Sequence, residues 1–253
     1  MPLFPYKTPS GTRYTLYYEM LQVPHLLIAG ATGSGKSVVE NALIYTALFQ
    51  SPAKAQFIFI DPKRVELLAY KNLPHCILYA TEPAEMTGAL QAAMQITETR
   101  YKEMARRGVK KYNGGAVYVL IDEFADLMTT QKRAIMPIVQ RLAQIGRAAN
   151  IHIILCTQTP IAKVLPTEIK CNFDYRVALR TGNAQDSRNI IGVAGCELLP
   201  DPKTTGAGFA YYQTGADKLL YKIPMISDQE IKERVDFWER QKNPLHRMRN
   251  RLA

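Results

Sequence analysis

One octapeptide constrains the fold of this chain more than any other feature. Residues 30–37, GATGSGKS, match the P-loop motif G-x-x-x-x-G-K-[ST] at every fixed position. An apolar run at residues 25–29, the predicted P-loop strand, leads into them. Glycines at these positions let consecutive backbone N–H groups point at phosphate oxygens, and the positive end of the following helix adds to the attraction. The motif predicts a bound nucleoside triphosphate, held by Gly30, Ala31, Thr32, Gly33, Ser34, Gly35, Lys36, Ser37 and Val38.

Four side chains have predicted roles in catalysis or metal binding. Lys36 is expected to reach the β- and γ-phosphates, and the Ser37 hydroxyl to ligate Mg²⁺. The apolar run at residues 116–121 ends in Asp122-Glu123. At the carboxyl end of a strand next to the P-loop strand, Asp122 is suited to the Mg²⁺ shell. Glu123 follows it and is predicted to be the general base that polarises the attacking water.

The order of the remaining segments predicts the fold class. Two β runs, residues 56–61 and 75–80, separate the P-loop helix from the strand at residues 116–121. An extra strand between these motifs is typical of motor-type ATPases rather than of small GTPases or nucleotide kinases. Strands alternate with helical patterns, which predicts an α/β fold with a mostly parallel central sheet flanked by helices.

Apolar periodicity and capping signals predict the other elements. Residues 1–22 are interpreted as an irregular amino-terminal arm with a possible strand at Arg13–Tyr18. Pro137 is expected to kink the helix that contains it. Helices are predicted over residues 37–49, 83–107, 132–149 and 227–238, and further strands over residues 151–156, 173–179, 207–213 and 218–223.

Two polar residues flank the apolar strand at residues 151–156. Gln158 follows this strand and could sense the γ-phosphate, or it could be an ordinary turn residue. Arg147 precedes the strand. It could be a cation favoured by the helix dipole, or an arginine finger for a neighbouring subunit's nucleotide. The residues themselves leave both alternatives open.

The composition indicates a polyanionic partner and a reducing compartment. The chain carries 32 Lys and Arg residues against 22 Asp and Glu residues, a formal net charge of +10. This charge favours nucleic acid as a partner, although a basic surface can also serve solubility alone. The four cysteines form no C-x-x-C pair, which is typical of a cytoplasmic protein. No apolar run approaches the ~20 residues that span a bilayer, so any membrane anchor is expected to come from a partner.

Six segments in succession resemble one known family. They are HLLIAGATGSGKSV, FIDPKRVEL, LPH, IDEFADLM, RLAQIGRAANIHIILCTQ and RVALRTGNAQDSRNIIG. Together, in this order, they are similar to the motor domain of the FtsK/SpoIIIE family of DNA translocases, from about residue 23 to residue 235. The resemblance implies a RecA-like domain that forms a ring hexamer around DNA, with ATP and Mg²⁺ at the subunit interfaces.

The resemblance also assigns roles to individual positions. It places Lys36 and Ser37 on the Walker A motif, Asp122 and Glu123 on the Walker B motif, and Arg147 on the arginine finger. The family's DNA-tracking loops follow the strand that ends in TQ and surround the DSR motif. On this chain those loops would include Lys170 and Arg188.

Two departures from the family pattern affect the expected DNA contacts. Thr159 stands where the family usually has arginine, and Ala184 stands where it usually has a basic residue. The grip on DNA is therefore expected to be weaker or shifted, to Lys163 or Arg180. A protein-secretion ATPase and an ATP-gated DNA-binding adaptor that does not translocate remain alternatives.

The predicted organisation has three parts. An arm at residues 1–22 precedes a motor domain at residues 23–240, and a basic tail follows at residues 241–253. The tail could dock DNA, a partner protein or anionic lipid, or could simply be a solubilising segment. The absence of a membrane anchor and of a winged-helix DNA reader predicts a compact relative, of the kind found on plasmids, integrative elements or phages. Double-stranded DNA is the expected track.

Overall fold

A twisted sheet of eight strands, with helices on both faces, forms the centre of the molecule. The computed structural model describes residues 15–242. The strand order is β3-β2-β4-β5-β1-β6-β7-β8, and the first six strands are parallel. β7 and β8 extend this sheet in the antiparallel sense. The strands are β1 (His25–Ala29), β2 (Ala55–Ile60), β3 (Cys76–Ala80), β4 (Ala116–Ile121), β5 (Ile151–Thr157), β6 (Tyr175–Leu179), β7 (Phe209–Thr214) and β8 (Asp217–Lys222).

The helices connect these strands, and the predicted α/β class with a mostly parallel sheet is confirmed. Three short 3-10 turns occur at Leu68–Tyr70, Gly146–Ala149 and Cys196–Leu198. The α-helices are α1 (Thr15–Gln22), α2 (Lys36–Ala47), α3 (Pro83–Arg107), α4 (Phe124–Thr130), α5 (Lys132–Ile145), α6 (Thr167–Lys170), α7 (Ala184–Ile191), α8 (Pro202–Thr205) and α9 (Asp228–Lys242).

The parallel strands consist mostly of apolar residues because both faces of the sheet are covered. In β1, Leu27 and Ala29 pack into the core beneath α3, α4 and α5, whereas Leu26 and Ile28 pack into the core beneath α1 and α2. This alternation follows from the two-residue period of a strand. It fixes β1, and with it the P-loop, between two apolar layers.

The predicted strand at Arg13–Tyr18 is wrong for the residues that the structure describes. Residues 15–18 form the first turn of α1, and Arg13 lies outside the described residues. Leu16, Tyr17, Met20 and Leu21 are buried, a spacing that suits one face of a helix. The Tyr17 hydroxyl also donates a hydrogen bond to the carbonyl of Pro224 at 3.0 Å.

The strand beside the P-loop strand is β5, and not the strand that ends in Asp122. β5 lies between β1 and β4, so the predicted direct neighbourhood of those two strands is wrong. The reason is long-range pairing: β5 comes later in the chain and is inserted between two strands that precede it. The strand ends still align, because Ala29 pairs with Thr157 and Ile121 pairs with Leu155. We call the edge where β1, β4 and β5 end the carboxyl edge, and the edge where they begin the amino edge.

Helix boundaries largely follow the predicted signals. Gly108 ends α3 with a left-handed φ of 64°, as expected for a C-cap. The Ser227–Glu230 capping box is present: the Glu230 carboxylate accepts from the Ser227 N–H at 2.9 Å, and the Ser227 hydroxyl accepts from the Glu230 N–H at 3.2 Å. The predicted helix over residues 132–149 ends earlier, since residues 146–149 form a 3-10 turn. Four short helices, α4, α6, α7 and α8, were not predicted.

Candidate nucleotide-binding site

The P-loop adopts a backbone conformation that its glycines permit. Gly33 and Gly35 have φ values of 78° and 101°, in the left-handed region that other residues rarely adopt. Gly30 is required for a different reason, because a Cβ there would lie 2.5 Å from the Cβ of Leu179. The loop therefore curls as the motif predicts, between the end of β1 and the start of α2.

Two backbone hydrogen bonds hold this loop to the neighbouring strands. The Gly30 N–H donates to the carbonyl of Thr157 at 3.3 Å, and the Ala31 N–H donates to the carbonyl of Arg180 at 2.8 Å. The loop is therefore bonded to the last residue of β5 and to the residue that follows β6.

Lys36 lies in a buried cluster of charges rather than in solvent. Its Nζ donates to the Asp122 Oδ1 at 2.5 Å, to the Asp122 carbonyl at 3.0 Å, and to both carboxylate oxygens of Glu40 at 3.0 and 3.2 Å. Burial alone would lower the pKa of Lys36, but the negative charges of Glu40 and Asp122 raise it above its usual range. The lysine is held as a cation.

Two buried oxygens beside the P-loop have no partner within the described residues. Asp122 Oδ2 and Ser34 Oγ are both buried, and neither makes a hydrogen bond there. Unsatisfied buried oxygens are uncommon in proteins, and a bound cation, water or ligand commonly completes them. The Asp122 carboxylate is a hard oxygen donor of the type that Mg²⁺ prefers. The residues present therefore fit a magnesium nucleotide.

Hydrogen bonds from two other segments hold Glu123, one segment at the end of β5 and the other following β2. Its carboxylate accepts from the Thr157 hydroxyl at 2.7 Å, from the Gln158 N–H at 3.1 Å and from Lys63 Nζ at 3.2 Å. The Gln158 side chain in turn accepts from the Thr32 hydroxyl at 2.9 Å. Gln158 thus connects the P-loop to the predicted general base. The carboxyl edge brings together Lys36, Asp122, Glu123 and Gln158 as their positions at strand ends predict.

Sequence reasoning missed two of these contacts. Glu40 lies one turn after Lys36 on α2, where an acidic residue four positions away shares a helix face. Lys63 follows β2, whose carboxyl end lies at the same edge of the sheet. Both positions could have been found from spacing and from the strand-end rule.

An apolar cavity of about 600 Å³ lies next to the P-loop. Val38 on α2 and residues of the segment before β7 and after β8 line it. Cavities of this size and character suit flat ligand groups such as a nucleobase. The lining residues include Gly35, Val38, Pro202, Gly208, Ile223 and Met225.

Arg147 lies at the amino edge, far from the P-loop of its own chain. It belongs to the 3-10 turn directly before β5 and lines a cavity with Val23 and Pro24, which precede β1. β5 has seven residues. At about 3.3 Å per residue, the strand separates Arg147 from the carboxyl edge by roughly 20 Å. The guanidinium therefore cannot contact a phosphate bound at this chain's own P-loop.

The four residues predicted to contact DNA do not form one group. Arg176 connects α6, which ends at Lys170, with α7, which contains Arg188. Its guanidinium donates to the carbonyls of Lys170 at 2.9 Å and Ile190 at 2.6 Å. Arg188 lies two residues before Ile190 and is exposed, as is Lys163 in the loop after β5. Lys170 and Arg188 thus belong to helices that one guanidinium joins.

Arg180 has a different setting. It follows β6, forms an ion pair with Asp201 at 3.4 Å, and lines a small cavity with Thr32, Gly33 and Lys203 of the P-loop surroundings. The structure thus places Arg180 beside the nucleotide site, and not with Lys170 and Arg188.

The fold and the site define a P-loop ATPase domain, and solved structures agree. The pCW3 conjugation coupling protein TcpA, in its monomer form with ATPγS, superimposes with a TM-score of 0.75 at 25% identity, over 86% of this chain and 66% of TcpA. The cytoplasmic domain of the type VII secretion ATPase EccC from Thermomonospora curvata gives a TM-score of 0.71 at 22% identity, over 82% of this chain and 26% of EccC.

The chain belongs to the FtsK/SpoIIIE family, whose profile matches residues 6–118 and 113–162. It is 34% identical to the DNA translocase FtsK of Agrobacterium fabrum over 271 residues, covering 89% of this chain and 30% of that protein. Identity to the Helicobacter pylori DNA translocase FtsK is 39% over 242 residues, covering 88% of this chain and 28% of the relative. The family resemblance of the six segments is confirmed. The chain thus spans less than a third of these relatives.

Between residues 15 and 242, no helix is both long and apolar enough to cross a membrane.

Proposed function

We propose that this chain is an ATP-driven DNA translocase that acts as a ring on double-stranded DNA. The observation that carries the proposal is the division of the catalytic residues between two edges of the sheet. Lys36, Asp122 and Glu123 lie at the carboxyl edge, whereas Arg147 lies at the amino edge. Membership of the FtsK/SpoIIIE family and the similarity to proteins named DNA translocase FtsK support the same function.

At the carboxyl edge, the P-loop N–H groups and Lys36 would bind the phosphates of ATP. The Ser37 hydroxyl and the Asp122 carboxylate would hold Mg²⁺, which neutralises charge on the β- and γ-phosphate oxygens when bound. Glu123 would accept a proton from the attacking water through its carboxylate, which Thr157 and Gln158 hold in place. The apolar cavity beside Val38 would take the nucleobase.

Arg147 would complete the site of a neighbouring subunit. An arginine finger stabilises charge on the γ-phosphoryl group and needs direct contact with it. Because Arg147 cannot reach its own P-loop, that contact requires a second copy in a head-to-tail arrangement. Heterologous interfaces of this kind close into rings, and we propose a homo-hexamer.

The coupling between ATP and DNA would run through Gln158. This residue bonds to both Thr32 and Glu123, and it begins the segment that carries Lys163 and Lys170. Loss of the γ-phosphate would change these bonds and move the segment. Lys163, Lys170 and Arg188 would contact DNA phosphates, which carry no sequence information and therefore suit a motor that moves along any duplex.

We infer a cytoplasmic role in the transfer, replication or segregation of a plasmid or mobile element. The 25% identity to a conjugation coupling protein supports this setting, and the free cysteines Cys76, Cys156, Cys171 and Cys196 are typical of a reducing compartment. A membrane protein or a DNA-processing protein would be the partner that recruits the ring.

The test is the steady-state ATPase rate with and without duplex DNA over a salt series. DNA should stimulate the rate strongly, and the stimulation should fall steeply as salt rises, because phosphate contacts depend on counterion release. The variant Lys170→Ala/Arg188→Ala should keep the basal rate and lose the stimulation. Arg106→Ala removes an exposed cation from α3 and serves as its control.

Two outcomes would contradict this proposal. No stimulation by duplex or single-stranded DNA would favour a protein-secretion ATPase instead. Stimulation without directional movement, measured as displacement of a triplex-forming strand, would favour an ATP-gated adaptor.

A further inference from the structure

A second carboxylate lies behind the P-loop, where the mechanism above does not use it. Glu40 on α2 is 1% exposed, and both of its oxygens contact Lys36 Nζ, at 3.0 and 3.2 Å. Asp122, the residue that follows β4, accepts hydrogen bonds from the same ammonium group. An ammonium group has three donors. The contacts with Glu40 and Asp122 use them within the protein, and Lys36 makes no hydrogen bond to the P-loop among the described residues.

The position of Glu40 makes departure of Lys36 unfavourable. Within residues 15–242, Lys36 is the one cationic side chain that forms an ion pair with Glu40. A buried charge that loses its partner is strongly destabilised. Burial already raises the pKa of Glu40 to about 7 although Lys36 opposes this shift, which indicates how poorly the site solvates a lone carboxylate. Movement of Lys36 toward a phosphate would leave Glu40 without a cationic partner, with the Cys156 thiol as its remaining hydrogen-bond partner.

We propose that Glu40 is a positioning residue that retains Lys36 against Asp122 in the nucleotide-free protein and thereby weakens nucleotide binding. The inference rests on the proposed binding of ATP at the P-loop. Triphosphate must compete with Glu40 for the ammonium group, so part of the binding free energy is used to separate an internal ion pair.

The experiment measures the Kd of a fluorescent, non-hydrolysable ATP analogue for the wild-type protein and for Glu40→Gln. The amide keeps the shape of the side chain and removes its charge. Because the lysine no longer has to leave a charged partner, we expect binding to tighten by roughly tenfold, about 1.4 kcal/mol. Steady-state kinetics should show a lower KM, with kcat changed by less than about twofold.

Two further variants control for the loss of a negative charge and for misfolding. Glu98→Gln removes the same charge from an exposed position on α3 and should leave Kd unchanged. Glu40→Met fills the buried space with an unbranched apolar side chain, and it should also tighten binding if Glu40→Gln does not fold. Thermal unfolding confirms that each variant is folded. A structural defect would weaken binding, which is the opposite of the expected direction.

The outcomes separate this inference from the proposed function. If the wild-type protein binds the analogue, and both Glu40 variants bind it equally or more weakly, Glu40 does not retain the lysine. If the wild-type protein and Glu98→Gln fail to bind the analogue at all, the proposed ATP site itself is wrong.

Discussion

The carboxyl and amino edges of the sheet contain different kinds of buried polar groups. At the carboxyl edge, Lys36, Glu40 and Asp122 are charged and paired with one another. At the amino edge, His25 and His152 are buried, and burial lowers the pKa of both, that of His25 to about 4. The first edge holds buried charges that pair with one another. The second combines buried imidazoles with a buried cation, the Arg100 guanidinium, which donates to the carbonyls of Ala149 at 2.8 Å and Asn150 at 3.0 Å.

The amino edge also carries Arg147, the residue proposed to act on a neighbouring subunit. In the part of the chain that the structure describes, Arg147 forms no ion pair, and it lies in a turn packed against the amino edge. Under the proposed function, a single chain carries two unlike halves of a catalytic site. Four predictions test that division, in order of expected effect.

The largest effect is expected from removal of the P-loop cation. Lys36→Ala should abolish ATP hydrolysis, because it removes the cation that contacts Asp122 and is expected to bind the phosphates. The readout is steady-state phosphate release. Normal turnover in this variant would show that the carboxyl edge is not the nucleotide site.

Arg147→Ala should retain ATP binding and lose hydrolysis by about 10³-fold, the lower range for an arginine finger. Its distinctive test is to mix it with Lys36→Ala. Each variant supplies the half that the other lacks, so a one-to-one mixture should regain roughly a quarter of the wild-type rate if contacts are head-to-tail. A monomer that hydrolyses ATP at the full rate, or a mixture that stays inactive, would contradict a role in trans.

A matched pair of glycine substitutions separates the two edges. A Cβ on Gly30 would lie 2.5 Å from the Cβ of Leu179, and one on Gly146 would lie 2.8 Å from the carbonyl of Ile151. Each change to alanine should lower the free energy of unfolding by about 1–3 kcal/mol. Gly30→Ala should also weaken nucleotide binding, whereas Gly146→Ala should impair only hydrolysis in the assembled protein.

The control for this pair is Gly88→Ala on α3, where a Cβ meets nothing within 4 Å. It should be neutral or slightly stabilising. Equal loss of nucleotide binding in Gly30→Ala and Gly146→Ala would mean that the two edges are not functionally distinct.

Acid should destabilise the amino edge. Unfolded His25 takes up a proton near pH 6.5 but folded His25 only at about pH 4. The unfolded state therefore binds more protons between these values. Stability is full above pH 6.5 and falls by about 2 kcal/mol from pH 7 to pH 5 through this group alone. Urea unfolding at both pH values measures the loss, and His25→Gln should reduce it. An unchanged pH dependence in His25→Gln would exclude this histidine as the cause.

Much of the fold was predictable because its signals are local. β4 and β5 are continuously apolar, and Gly108 and the Ser227–Glu230 capping box mark helix ends, so these boundaries were close. The strand prediction near residue 15 was wrong. The tyrosines and the threonine of residues 15–22 favour strands, but the segment forms a helix because its apolar face packs against α2. Tertiary packing is not visible in a short window.

Strand ends predicted which residues would meet at the carboxyl edge, whereas the contacts among them, and the contributions of Glu40 and Lys63, were not predicted. Residue types at strand ends identified Asp122, Glu123 and Gln158. The insertion of β5 between β1 and β4, the pairing of Lys63 with Glu123 and the position of Arg180 beside the P-loop depend on residues far apart in the chain. Such contacts follow from the assembled sheet, which periodicity does not specify.

Trp238 contacts the end of α2 and can serve as an intrinsic fluorescent probe of this helix. Trp238 is the one tryptophan in the sequence, and its Nε1 donates at 2.8 Å to the carbonyl of Leu48, where the P-loop helix ends. Its ring also meets that of His75 edge-on, with centroids 4.7 Å apart. Indole emission shifts in wavelength and intensity when its hydrogen bond or its ring neighbours change. Any displacement of α2 on nucleotide binding should therefore be observable in the unlabelled protein, in real time, from one fluorophore of known position.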